Sequence, residues 1–147
     1  MYETLEVSQY RSRGPSSLNT FTEIPRTLLE MSTLLMALPM LRLLPRGDNH
    51  TVMVLPGFMV GDESTTVLRG YLSSMGYTAI PWLLGRNTGG LEVMQARLRD
   101  RFEEACRRSN GPVSLIGQSL GGIYARELAR WAPDKVRQVI TLGSPFG

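Results

Sequence analysis

One short run in the chain has the makings of a nucleophile. Gly117-Gln118-Ser119-Leu120-Gly121 is a G-x-S-x-G pattern extended by Gly122, and it stands where the apolar run Val113 to Gly117 gives way to a helical pattern. A serine hydroxyl attacks a carbonyl only when its backbone presents it and hydrogen-bond donors wait for the oxyanion that forms. Glycines on either side leave room for a strained strand-to-helix turn, and the following helix aims its N-terminal dipole at the hydroxyl. The pattern alone is weak, and the bland alternative is a tight turn in which Ser119 only caps the helix. One expected oxyanion donor is the backbone N–H of Leu120. A second is the N–H of Phe58, in Leu55-Pro56-Gly57-Phe58-Met59, where another apolar run enters a glycine turn; judged without the serine motif, that turn merely ends a strand. Both turns lie at the C-terminal ends of strands, where open α/β sheets place their sites.

Few other side chains compete for a chemical role. His50 is the one histidine and Cys106 the one cysteine, which leaves no metal site and no disulfide scaffold to expect. No cofactor is expected either, because Gly117, Gly121 and Gly122 do not spell G-x-G-x-x-G and no lysine follows a glycine run. His50 precedes a short strand rising ~3.3 Å per residue, which puts it ~16 Å from the strand-end site and makes it a loop residue. Glu127 and Asp134, the acids after Ser119, suit a helix surface and a turn. A serine without a base is a poor nucleophile. A fourth strand with nothing to cover it points to further chain beyond residue 147.

The elements that must position these residues follow a repeated rhythm of short apolar run, glycine-bearing turn and amphipathic helix, which reads as α/β with a parallel sheet and helices on both faces. Strands are expected at Thr51 to Leu55, Tyr77 to Trp82, Val113 to Gly117 and Arg137 to Leu142. Asp62 is read as the cap of a first helix with Val67, Leu68, Tyr71, Leu72 and Met75 inward, closed by Gly76. A second helix carries Leu91, Met94, Leu98, Phe102 and Ala105 on its inner stripe, with Glu103 and Arg107 paired at i,i+4. The third runs from Leu120 to Trp131 with Tyr124, Leu128 and Trp131 inward. Phe58-Met59-Val60 and Trp82-Leu83-Leu84 are expected near the site, either as an apolar rim suited to an acyl chain, with Met59, Trp82 and Leu83 as pocket candidates, or buried between sheet and helices. Arg86 and Asn87 either meet a polar part of the substrate or hold their loop.

Composition sets the frame. The chain has 147 residues, 42% of them hydrophobic and 20% charged, enough for one domain with its own core. Residues 1–23 read as a loose polar tail, 24–46 as a helical segment and 47–147 as the α/β part. Leu28, Met31, Leu35 and Leu38 recur at helical spacing, but Glu30, Pro39 and Arg42 interrupt the segment, which falls short of a membrane span and reads as a packed helix ahead of a lid or a transient lipid-surface contact. The N-terminus lacks the basic and apolar regions of a secretory signal, so a cytoplasmic location is expected. The net charge of +3 is mild and acids are mixed among the arginines, which argues against a nucleic-acid partner. Oligomeric state is left open.

Val54-Leu55-Pro56-Gly57-Phe58, Gly117-Gln118-Ser119-Leu120-Gly121-Gly122 and Thr141-Leu142-Gly143-Ser144-Pro145-Phe146 occur in the order and spacing of an α/β-hydrolase, and the chain resembles the bacterial lipase/esterase branch of that superfamily over about residues 47–147. Such proteins usually carry His-Gly where this chain has Pro56-Gly57, and His where it has Gln118; neither change touches a backbone donor. The resemblance implies a serine hydrolase of small-molecule or lipid carboxylic esters, with Ser119 as nucleophile, Phe58 and Leu120 as the oxyanion hole, and the acid and histidine later in the chain. Acyltransferases, thioesterases and amidases use the same elbow, and a non-catalytic binding module that keeps the elbow is the alternative.

Overall fold

β-Branched and apolar residues fill four strands in the computed structural model, which describes residues 37, 39–41 and 43–145. The strands are β1 (Thr51–Leu55), β2 (Thr78–Pro81), β3 (Val113–Gln118) and β4 (Val136–Leu142), joined by helices α1 (Thr66–Ser74), α2 (Leu91–Arg108) and α3 (Leu120–Trp131). All pairings are parallel and the spatial order is β2-β1-β3-β4. A helix bridges each successive pair of strands, the connection that parallel pairing demands. The central strands are read as apolar runs because both their faces are covered.

On one face Met53, Leu55, Val113 and Leu115 meet Leu98 and Phe102 of α2 and Tyr124 and Leu128 of α3. On the other, Val52, Val54 and Ile116 lie under Leu68 and Leu72 of α1 and under Tyr77. Each such buried side chain contributes about 1.5–3 kcal/mol relative to exposure. The stripe of α2 follows the expected spacing at Met94, Leu98, Phe102 and Ala105, and Arg107 and Arg108 favour its C-terminal dipole.

Several expectations change. Asp62 does not cap α1 with its side chain: Asp62–Thr65 is a 3₁₀ turn, and the carboxylate instead accepts the N–H groups of Trp82 and Leu83 at 3.0 and 3.1 Å. That bond ties the start of α1 to the end of β2. Val67 is exposed because α1 covers the sheet only along its Leu68 and Leu72 side. Trp131 is partly exposed, with the Arg99 guanidinium 4.9 Å from its ring centre. Glu103 bonds Lys135 across elements, while Glu104 takes Arg108 as its i,i+4 partner. Pro45–Gly147 forms one compact unit. The expected tail at 1–23 and Leu28, Met31, Leu35 and Leu38 lie outside the described residues, and among the described residues no helix is long and apolar enough to cross a membrane.

Candidate active site

Ser119 follows the last residue of β3 and precedes the first of α3, with φ 50° and ψ −117°. A residue with a Cβ occupies such a left-handed conformation at a cost of about 1–3 kcal/mol, and only where the surroundings enforce it. The enforcement is visible on both sides. A Cβ on Gly117 would strike the backbone of Gly121 and Gly122, and one on Gly121 would lie 2.6 Å from the Pro56 carbonyl oxygen. The strand end, the elbow and the first turn of α3 therefore pack backbone to backbone, and the glycines are required by close approach.

The turn after β1 meets this elbow. A Cβ built on Gly57 would sit 3.5 Å from Ser119 Cβ and 3.5 Å from the Gln118 carbonyl oxygen. Among the described residues no acceptor takes the N–H of Phe58 or of Leu120, whereas the Met59 N–H is used, donating to the Asn87 carbonyl at 2.6 Å. Ser119 is exposed, and its Oγ has no hydrogen-bond partner among the described residues. A third segment closes the site: a Cβ on Gly89 would lie 3.4 Å from the Phe58 ring and 4.0 Å from Leu120 Cδ2.

Asn87 is the knot that holds these loops. Fully buried, it donates from Nδ2 to the Pro56 carbonyl at 2.9 Å and accepts the Gly89 N–H at 3.2 Å. Its backbone N–H also donates to Val60, at 2.9 Å. Of the two readings open for Asn87, holding the loop is the one its contacts match. An asparagine two residues ahead of Gly89-Gly90 is a turn signal consistent with that role. Ser144, which had no assigned role, donates from Oγ to the Ser119 carbonyl at 2.6 Å.

Of the two places open for the pocket candidates, rim or interior, Trp82 takes the interior. Trp82 is fully buried, stacked on Tyr124 with its indole N–H donating to the Gly85 carbonyl at 2.9 Å, so it lines no open pocket. The reason is its position where β2 leaves the sheet beneath α2, whose Arg101 Nε donates to the Trp82 carbonyl at 3.1 Å. Leu83 is exposed, but it lines a hollow of about 570 Å³ shared with Leu84, Arg97 and Arg101, in which Ser119 takes no part. Met59 and Phe58 are exposed beside the elbow turn.

His50 stays at the opposite edge of the sheet, ahead of β1. Its Nε2 bonds Ser114 Oγ at 2.8 Å, and its Nδ1 meets the Asp48 carboxylate, which also accepts from Arg137 at 2.6 Å. The His50 ring and then Arg137 hold the Asp48 carboxyl well below the usual carboxylate range. Burial, then the Glu103 charge, pushes the Cys106 thiol up, leaving it protonated and a weak nucleophile. Among the described residues no three His, Cys, Asp or Glu side chains gather as a metal site.

No family model matches the chain, and none of the curated proteins does. Among solved structures, it is similar to the crystal structure of a PytH variant, with a TM-score of 0.54 and 24% identity over 65% of this chain. The match spans 40% of that protein's length. Together with the four-stranded parallel sheet, this likeness shows an α/β architecture consistent with an α/β-hydrolase-like fold.

Proposed function

We propose that Ser119 is the nucleophile of a serine hydrolase acting on carboxylic esters, lipase- or esterase-like, through an acyl-enzyme. The observation that supports this reading most directly is the strained, exposed Ser119, with the N–H groups of Phe58 and Leu120 in the adjoining turns taken by no acceptor among the described residues. In the proposed reaction Ser119 Oγ bonds to the ester carbonyl carbon as its proton passes to a histidine. The carbonyl oxygen becomes an oxyanion held by Phe58 and Leu120 N–H groups, and the C–O bond to the alcohol breaks as the histidine returns the proton to it. Water then releases the acid by the same steps. Phe58, Met59 and the Leu120 side chain would border the acyl chain, whether from a small-molecule ester or from a lipid met at a surface. In this proposal the histidine and its orienting acid come from chain beyond Gly147, because His50 is committed to Ser114 and Asp48 at the far edge.

That commitment of His50 is also what favours the second reading, a binding module without catalysis. A fluorophosphonate probe separates the two when imidazole is added as an external base. The expected result is labelling of Ser119, abolished in Ser119→Ala and accelerated by imidazole, since a positioned base contributes about 10²–10⁴-fold and a free one recovers part of that. Absence of labelling at any imidazole concentration would overturn the nucleophile and leave the binding module.

A further inference from the structure

The turn that follows β4 grips the elbow from below. The parallel ladder runs one step past the last β3–β4 pair, Gln118 and Leu142, with the Ser119 N–H donating to the Leu142 carbonyl at 2.8 Å. Gly143 then turns the chain at φ 60°, a left-handed conformation natural to glycine, and Ser144 comes back beneath the elbow. There Ser144 Oγ donates to the Ser119 carbonyl at 2.6 Å, alongside the Gly122 N–H at 3.0 Å. Arg126 of α3 fixes the far end of the turn by donating to the Pro145 carbonyl at 2.7 Å.

The second glycine of the extended motif belongs to this contact. A Cβ on Gly122 would fall within 2.8 Å of Ser144 Cβ and closer still to the hydroxyl. Gly121 is accounted for by the backbone of Leu55 and Pro56, whereas the tightest contacts of a Cβ on Gly122 are with Ser144, ahead of the Gly117 carbonyl oxygen at 3.1 Å, so a bare Gly122 is what lets that side chain reach the Ser119 carbonyl. The consequence follows from peptide geometry. The Ser119 carbonyl and the Leu120 N–H share one planar trans unit and point in opposite directions. A bond that pins the carbonyl downward pins the N–H upward, toward the side on which an oxyanion would form. The same bond polarises the peptide and strengthens its N–H as a donor.

We infer that Ser144 is a positioning residue of the acyl-transfer site, holding the Ser119–Leu120 peptide so that Leu120 N–H faces the oxyanion, with Gly122 as the gap through which it reaches. The inference rests on the reading of Ser119 as nucleophile, and its test separates the two. Fluorophosphonate labelling, with imidazole present, is compared in the parent chain, Ser144→Ala and Ser144→Thr, together with their thermal midpoints and the hydrogen exchange of the Ser119 and Gly122 amides. Losing one oxyanion donor outright costs about 10²–10³-fold, so a misaimed donor is expected to slow labelling by about 10–100-fold in Ser144→Ala. Ser144→Thr, which keeps the hydroxyl, is expected to restore the rate, with midpoints little changed in both variants. A Ser144→Ala rate equal to that of the parent would overturn the positioning role while leaving Ser119 a nucleophile. If the parent chain fails to label, the nucleophile falls and the catalytic purpose of Ser144 with it. Amide exchange at Ser119 and Gly122 unchanged by Ser144→Ala would overturn the clamp itself.

Discussion

Ser119 shows how the surroundings can hold a single residue in strain. Its φ of 50° is held by the Leu142 carbonyl on its N–H and by Ser144 and Gly122 on its carbonyl, not by any preference of serine. A Cβ is uncomfortable there and a glycine is not, although glycine loses more entropy on folding. Ser119→Gly is therefore expected to be more stable than Ser119→Ala by about 1 kcal/mol in urea unfolding, while neither keeps the hydroxyl. Equal midpoints would mean that the elbow carries no strain. The serine, its flanking glycines and the turn were legible in the sequence because they lie within six consecutive residues, but the groups that enforce the conformation lie elsewhere in the chain.

At the level of loops and strands, the site is an agreement among three strand ends. The turn 56–60 after β1, the loop 85–90 after β2 and the elbow after β3 meet at one edge, and Asn87 joins the first two by side chain and backbone together. Burying its amide without partners would be costly, so Asn87 is satisfied at Pro56 and Gly89 or the loops separate. Asn87→Ala leaves the Pro56 carbonyl without its donor and is expected to cost about 1–3 kcal/mol. It should also slow labelling of Ser119 more than any exposed substitution in the same loop, such as Arg86→Ala. Thermal unfolding and labelling rates of the pair check this, and identical behaviour would remove Asn87 from the site. Trp82 illustrates the converse, since its position at a strand end left both a rim and the interior open, and the chain leaves β2 beneath α2 so that the indole becomes core.

Across the molecule, the two edges of the sheet have divided their work. The C-terminal edge gathers glycines, strain and N–H groups that no acceptor takes among the described residues. The N-terminal edge gathers a hydrogen-bonded chain from Ser114 through His50 and Asp48 to Arg137, linking the start of β1 to β3 and β4. The Asp48 carboxyl is held below its ordinary range when folded, so the folded state binds its proton less readily than the unfolded chain. Its contribution is therefore present above the unfolded carboxylate pKa of about 3.9 and is lost as pH falls through the lower folded value. Asp48→Asn is expected to lower the urea midpoint at neutral pH, with the gap from the parent chain narrowing below pH ~4. Because Asp48 is exposed, the gap should also shrink in high salt. A gap constant from pH 7 to pH 2 would remove the ionic link.

The strands, the helices, the parallel sheet and the serine elbow were readable from the amino-acid order because each rests on a local rule: an apolar run, a 3.6-residue stripe, a glycine beside a tight turn. The loop-holding role of Asn87, the burial of Trp82 and the reach of Ser144 were settled by folding. Asn87 and Pro56 stand 31 residues apart, and Ser144 and Ser119 stand 25 apart. A hydrogen bond across such separations leaves no periodicity in the chain, because it depends on where strand ends arrive in space and on which small residues let them touch.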